Sequence, residues 1–180
     1  MSLVRRPRRR LCDDHGVVLV EFAMVIPILM MLMLGMFSGG LAWNQNQSLG
    51  QGARVAARYA STLPLPATDA EMDAWLDGIA DQAVAASDGA MAADVGGRGV
   101  CVAYVDPAGA APDHTFSRRI NAAGTRSSAT SVCFDDGQSA TQRRVQVLLE
   151  RNGTLDIGFH RQTLTLRRSV VYRYEADSGL

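Results

Sequence analysis

The sequence predicts an α+β protein with one long N-terminal helix, then a small antiparallel β-sheet and one amphipathic helix. Three observations support this prediction. Residues 17–43 form an apolar run with a single ionisable side chain, which is longer than the core helix of a soluble protein requires. A helical apolar pattern follows residue 68, and runs with the two-residue alternation of β-strands fill much of the chain after residue 99.

The apolar run predicts a membrane span, since about 20 apolar residues cross a bilayer. The segment before it, residues 1–16, is a basic leader with five arginines: Arg5, Arg6, Arg8, Arg9 and Arg10. Positive charge before a span keeps the N-terminus in the cytoplasm and sends the rest of the chain outward. We therefore predict a transmembrane helix over residues 17–43, with membrane lipid as its partner. A secretory signal cleaved near Ala42 is the alternative, but its apolar region would be shorter, about 7–15 residues.

Glu21 is the residue that a simple membrane anchor does not explain. A carboxylate in hydrocarbon costs roughly 2.5–3.5 kcal/mol on insertion scales, so such residues usually have a partner. In one interpretation Glu21 lies only about 6 Å along the helix from Val17, and its side chain reaches water at the interface. In the other, cleavage between Gly16 and Val17 creates an α-amino group that pairs with Glu21, most usefully between neighbouring subunits. The residues alone leave both interpretations open.

The helix is expected to continue beyond the span to residue 60. Pro27 removes one backbone hydrogen bond and predicts a helix kink about ten residues from Val17. Residues 44–60 are amphipathic, with small apolar side chains on one face, which predicts a helical extension outside the membrane. Residues 61–67 contain two prolines and predict a hinge between this stalk and a folded head, residues 68–180.

The head begins with a capping box formed by Thr68 and Glu71, which predicts the start of an amphipathic helix. Its apolar face repeats at helical spacing: Met72, Trp75, Leu76, Ile79, Ala80 and Ala83. Three aspartates lie at four-residue intervals on the opposite side: Asp73, Asp77 and Asp81. We expect a solvated face there rather than a cation site, because a helix does not supply the looped oxygen ligands that calcium prefers.

The remainder of the head predicts strands. Two apolar runs that each hold a cysteine, residues 100–105 and 131–134, are expected to be strands separated by an exposed loop over residues 106–130. Further strand patterns occupy residues 144–150, 155–159, 162–167 and 170–174. Asn152 and Gly153 predict the hairpin turn between the first two of these.

Cys101 and Cys133 are the cysteines that remain once the leader, which contains Cys12, is set aside. Disulfides persist outside the cytoplasm, and the runs that hold the two cysteines are suited to neighbouring strands. We therefore predict a disulfide between them, with two buried free thiols as the alternative. Their spacing does not match a zinc site, and we expect no metal.

The sequence around the apolar run resembles the class III signal of type IV pilin-like proteins. Gly16 is followed by four apolar residues, by Glu21 at the fifth place and by a long apolar helix. The finer pattern is similar to the TadE-like pseudopilins of the tight-adherence (Flp, type IVb) pilus system. That similarity lies in residues 20–23, 26–29, 34–35, 52–60 and, at the C-terminus, 168–175.

The resemblance implies a pilin-like fold and a function in pilus assembly. It implies cleavage after Gly16 by a prepilin peptidase, which leaves Val17 as the mature N-terminus, and Glu21 as the charge that pairs with a neighbouring subunit. The partners it implies are the prepilin peptidase, other pilins or pseudopilins, and the inner-membrane assembly platform. The implied location is the bacterial inner membrane, with the N-terminus cytoplasmic and the head periplasmic.

No group of residues indicates catalysis or a cofactor. Histidines are scattered, at His15, His114 and His160, and the glycine-rich residues 96–99 lack the lysine of a phosphate-binding loop. Residues 17–180 hold 13 arginines against 16 acidic residues, which gives no support to nucleic-acid binding. We expect a non-enzymatic protein. The competing hypothesis is a membrane-anchored periplasmic binding module whose helix is an inert tether.

Overall fold

The computed structural model describes residues 14–106, 115–138, 142–158 and 160–175. Most of the predicted leader and part of the predicted loop at residues 106–130 therefore lie outside the described residues. The helices are α1 (Asp14–Thr62) and α2 (Asp69–Ala85), and the strands are β1 (Gly99–Val105), β2 (Thr115–Ile120), β3 (Arg126–Ala129), β4 (Arg144–Asp156) and β5 (Arg161–Arg173). The predicted α+β class is confirmed.

The first helix, α1, is continuous over 49 residues and includes Pro27. It is rich in leucine, methionine and alanine, which are strong helix formers. The helix ends at Thr62, two residues before Pro64. The residue before a proline disfavours the helical conformation, and this explains why the helix does not continue. The long predicted helix is thus present, whereas the kink at Pro27 remains a prediction.

The sheet has five strands in the order β3-β2-β1-β4-β5, and all of its neighbouring pairs are antiparallel. In the register at its centre, Val102 of β1 pairs with Arg118 of β2 and with Val147 of β4. The β4–β5 hairpin is the longest part, with 13 residues in each strand. Because side chains alternate between the two faces of a strand, Cys101 and Val102 point to opposite sides of the sheet.

One face of the sheet packs against α2 and the second half of α1. The fully buried α1 residues on this face are mostly alanines: Leu49, Ala53, Ala56, Ala57 and Ala60. Small side chains let the two helices and the sheet approach closely. Three aromatic rings support the same core, since Tyr104 makes edge-to-face contacts with Trp75 at 6.2 Å and with Tyr174 at 5.5 Å between centroids.

The closest approach of α1 to α2 is at Gly52. A Cβ at this position would lie 2.6 Å from the backbone oxygen of Ala83 and 3.0 Å from Cβ of Ser87. The first of these neighbours is backbone, which cannot rotate away. The helix crossing therefore requires glycine at this position.

The aspartates of α2 form the predicted solvated face only in part, because residues of the sheet pair with them. Arg118 on β2 contacts Asp77 at 2.8 Å, and Arg126 on β3 contacts Asp77 at 3.1 Å and Asp81 at 2.8 Å. Ser128 donates a hydrogen bond to Asp73 at 2.7 Å. The side chain of Asp77 is only 20% exposed. The prediction therefore holds for the exposed Asp81 and was wrong for Asp77, whose partners come from strands that the sequence did not predict.

Those two strands, β2 and β3, lie within the residues expected to form an exposed loop, 106–130. These strands are polar, and Arg118 lies on their inner face, where the α2 residue Asp77 pairs with its charge. The apolar alternation of a typical strand is therefore weak in this segment. The hydrogen bond of Arg118 with Asp77 raises the pKa of its guanidinium, and the bond of Arg126 with Asp81 acts in the same way.

The hairpin turn predicted at Asn152 and Gly153 was also wrong, because both residues lie inside β4. The turn occurs further on, where Ile157 N–H donates to the carbonyl of His160 at 3.0 Å and Gly158 has a φ of +91°. Glycine at position 153 is explained by packing instead, since a Cβ there would lie 3.0 Å from the Leu166 side chain. Here glycine permits close packing within the hairpin.

Cys101 and Cys133 form a disulfide, with their Cα atoms 5.8 Å apart. Cys133 lies in the loop after β3 and not in a strand as predicted. With Ala103, Leu148 and Phe134 the disulfide makes a small cluster on the sheet face that faces away from α1. Side chains on β4 position this loop through hydrogen bonds and an ion pair, in place of strand pairing.

The buried Gln146 of β4 holds this loop in place. Its side-chain oxygen accepts a hydrogen bond from Cys133 N–H at 3.1 Å, and its amide donates to Phe134 O at 3.2 Å and to Asp136 at 2.6 Å. Arg144 pairs with the same carboxylate at 2.7 Å. Burial alone would raise the pKa of Asp136, but the hydrogen bonds from Gln146, from Gln138 N–H and from Arg144 outweigh it, and the pKa is lowered.

We expect Gly52→Ala to destabilise the protein by about 1–3 kcal/mol, because the added methyl meets the backbone of α2. Gly78→Ala is the matched control: Gly78 is exposed on α2 with open space around it, and the change should stabilise by about 0.5–1 kcal/mol. Chemical unfolding of the full chain in detergent measures both. Equal effects of the two changes would contradict the crossing at Gly52.

We expect Asp136→Asn to cost about 1–3 kcal/mol, because it removes the negative charge that pairs with the buried Arg144 guanidinium. The lowered pKa of Asp136 also gives a pH dependence. Its contribution to stability is complete above the unfolded-state pKa of about 3.9 and is lost as pH falls through the lower folded-state pKa. As the pH falls below about 4, the free energy of unfolding should therefore decrease less for the Asp136→Asn variant than for the parent protein. Asp135→Asn, at the exposed neighbouring residue, should change neither property.

Candidate functional site

The candidate site is the first part of α1, where every residue from Gly16 to Leu34 is exposed. Val17 is 60% exposed, Leu19 72% and Met24 70%. This helix contains an 18-residue window with a mean hydropathy of 2.7, none of it buried against the rest of the described chain. An exposed apolar surface of this extent marks a contact with a membrane or with another protein. By its length and composition this helix can span a membrane.

Glu21 is the charged side chain on this surface. It is exposed, and no ion pair or hydrogen bond joins it to another residue that the structure describes. Gly16 and Val17 lie on the same helix, with Val17 about 6 Å from Glu21 along the axis at 1.5 Å per residue. The structure thus places the three residues together at one end of α1. A carboxylate on an apolar helix is costly in hydrocarbon unless it reaches water at the interface or meets a partner.

Pro27 lies between Glu21 and the part of α1 that contacts the head. Since proline has no N–H, it leaves the carbonyl of Ala23, four residues earlier, without its helical hydrogen bond. In a membrane, neighbouring helices or local backbone adjustment satisfy such a group. Gly35 lies eight residues beyond Pro27 on the same helix. The structure places Ile157 of the same chain against it, with the Ile157 methyl 3.7 Å from the position of a Cβ.

The head makes its first contact with α1 at residues 34–38. Asp156 N–H donates a hydrogen bond to Ser38 Oγ at 2.8 Å, and the Leu34 side chain lies 3.3 Å from the position of a Cβ at Gly158. The contact falls within the predicted span of residues 17–43. The sequence did not predict it, since it joins residues 118 positions apart; a serine in the middle of an apolar run is the only local signal.

The other predicted site residues are not part of this arrangement. The disulfide of Cys101 and Cys133 lies on the far side of the sheet from α1. Within the described ranges, 14–106, 115–138, 142–158 and 160–175, no group of three or more histidines, cysteines, aspartates or glutamates is placed to hold a metal ion. The chemistry of the site is therefore that of an apolar surface with one carboxylate.

A family model described as TadE-like protein matches residues 16–58. The matched segment begins at Gly16 and ends close to the end of α1, so it covers the exposed apolar part and most of the part that packs against the head. The resemblance to TadE-like pseudopilins is confirmed over this segment. No curated protein and no solved structure matches the chain.

Proposed function

We propose that this chain, which is TadE-like over residues 16–58, is a minor pseudopilin that takes part in assembling a tight-adherence (Flp, type IVb) pilus. The family is membrane-associated and suggests a protein related to the Tad pilus. The assignment as a pseudopilin depends on which molecules bind the exposed part of α1. We infer that it binds both lipid and the equivalent helix of neighbouring subunits, and that the protein is not an enzyme.

The observation that carries this proposal is the unpaired Glu21 on an otherwise apolar, exposed helix surface. An inert tether gains nothing from a carboxylate that costs roughly 2.5–3.5 kcal/mol in hydrocarbon. An assembly subunit does gain, because a charge that is costly alone becomes favourable when a second subunit supplies its partner. The family match, which starts at Gly16, supports the same conclusion.

The partner charge would come from processing. Cleavage after Gly16 by a prepilin peptidase leaves Val17 with a free α-amino group, which is an ammonium at neutral pH. Val17 and Glu21 of one helix lie on nearly the same side, one turn apart. The ammonium of one subunit can therefore reach the carboxylate of another when two helices pack in lipid, and the pairing sets their relative height.

The rest of the chain supports a rigid subunit. One face of the second half of α1 is buried against the sheet and α2, so a force on the helix in the membrane would be transmitted to the head. Other pilins or pseudopilins and the inner-membrane assembly platform are the partners that we propose. The head would lie in the periplasm, where a disulfide between Cys101 and Cys133 is stable.

We expect Glu21→Gln to leave membrane insertion intact and to abolish pilus assembly, because the amide cannot neutralise an ammonium. Membrane fractionation and electron microscopy of cells measure the two properties. Glu71→Gln is the control, since Glu71 is an exposed glutamate on α2 in the head. Normal pili in the Glu21→Gln strain would support the inert tether of a membrane-anchored binding module.

We expect Gly16→Leu to block maturation, so that the membrane protein keeps its leader and is heavier by the mass of residues 1–16. Intact-protein mass spectrometry gives this difference directly. Gly40→Leu, at an exposed glycine with open space around it, should be processed normally. Loss of processing in Gly40→Leu and not in Gly16→Leu would indicate a secretory signal cleaved near Ala42.

A further inference from the structure

The β4–β5 hairpin follows α1 along the whole second half of the helix. Its turn contacts Leu34 through Gly158, its middle contacts Asn46 through Arg168, and residue 175, just after β5, donates its N–H to Ser61 O at 3.2 Å. The turn between β4 and β5 is therefore the part of the hairpin that extends furthest towards the exposed apolar end of α1.

The length of the helix places this turn at a defined depth. Val17 and Gly35 are 18 residues apart, which is about 27 Å along a helix at 1.5 Å per residue. The hydrocarbon core of a bilayer is about 30 Å thick. With Val17 at the cytoplasmic boundary, the contact of Ile157 with Gly35 lies near the outer boundary of the hydrocarbon, and the last residues of the predicted span, 36–43, lie among the headgroups.

An apolar groove opens at this contact. It has a volume of about 480 Å³ and is lined by Met31, Leu32, Gly35, Met36 and Ile157. Four of these residues belong to α1, so the groove is continuous with the exposed apolar surface of the helix. A groove that begins on a lipid-facing surface and carries no charged lining residue is suited to a hydrocarbon chain.

Three backbone N–H groups of the turn have partners within the chain, which favours its position at the membrane boundary. Asp156 N–H donates to Ser38, Gly158 N–H donates to the Asp156 carboxylate at 2.9 Å, and Ile157 N–H donates to His160 O. Arg161 neutralises the Asp156 carboxylate at 2.8 Å. Irregular backbone that faces lipid does not occur within the hydrocarbon core, so the turn belongs at its boundary, where these internal partners lower the cost of taking polar groups out of water.

We propose that the turn between Asp156 and Arg161 is a second membrane contact, and that the groove beside it holds an acyl chain of an outer-leaflet phospholipid. Ile157 then lies at the edge of the hydrocarbon, and the ion pair of Asp156 with Arg161 lies among the headgroups. The contact fixes both the depth of α1 and the rotation of the head about it. This inference requires that α1 spans the membrane, but not that the chain is assembled into a pilus.

Depth measurements on the full chain in vesicles of phosphatidylethanolamine and phosphatidylglycerol test the proposal. An environment-sensitive fluorophore is attached to Ile157→Cys, or to His160→Cys at the exposed face of the same turn, each combined with Cys12→Ser. The oxidised Cys101 and Cys133 do not react. Gln138→Cys is the control, because Gln138 is exposed in the loop held near the opposite end of β4.

We expect lipids that carry a quencher near the top of the acyl chain to quench the label at residue 157 several-fold more than the label at residue 138. A water-soluble quencher should give the opposite order, and the label at residue 160 should be intermediate. These results should not change when the protein is diluted in lipid. Unchanged thermal unfolding of the labelled proteins shows that the turn is retained.

Two results would overturn the proposal. If labels at residues 157 and 160 are as accessible to the aqueous quencher as the label at residue 138, the turn lies in water. If they are protected only at high protein density, a second copy of the chain occupies the groove. Neither result depends on Glu21, so the proposed pairing of subunits is tested separately.

Discussion

The structure depends on one constraint: the first part of α1 is apolar and finds no cover within the described chain. Leaving a large apolar side chain in water instead of burying it costs about 1.5–3 kcal/mol. Summed over this surface, the cost exceeds the roughly 5–15 kcal/mol that stabilises a typical domain. The surface must therefore be covered by lipid or by other chains. One face of the second part of the same helix contributes to the core of the head, so the exposed segment and the head share one continuous helix.

Glu21 restricts which molecules can cover the exposed apolar surface of α1. Lipid alone satisfies the valines, leucines and methionines of this surface, but it does not satisfy a carboxylate. In the proposed assembly, a neighbouring subunit with a newly formed N-terminus would satisfy both. In this account the apolar residues give the energy of membrane insertion, and the single charge gives the specificity of assembly.

The sequence was sufficient for the features that depend on local patterns. The run around Glu21, the apolar face of α2 and the family resemblance of residues 16–58 all come from near neighbours in the chain, and all could be predicted. Strands β2 and β3 could not, because Arg118 looks like a loop residue until Asp77, 41 positions away, pairs with it. Gly153 was mistaken for a turn residue for a similar reason, because the residue that requires a glycine there is distant in sequence. The absence of a side chain at Gly153 leaves room for the Leu166 side chain of the neighbouring strand. The contact of Ser38 with Asp156 is likewise visible only in three dimensions.

The most direct measurement of the central claim uses the absence of lysine from the sequence. In a chain that begins at Val17, the α-amino group is the one primary amine, so a carbodiimide can join two copies of the chain only through an amide between that group and a carboxylate in direct contact. Treatment of membranes or pili followed by mass spectrometry identifies the joined residues. The account predicts covalent dimers in which the Val17 nitrogen is linked to Glu21 of another copy. Linkage of Val17 only to other carboxylates, or chains that still carry residues 1–16 in cells with normal pili, would contradict it.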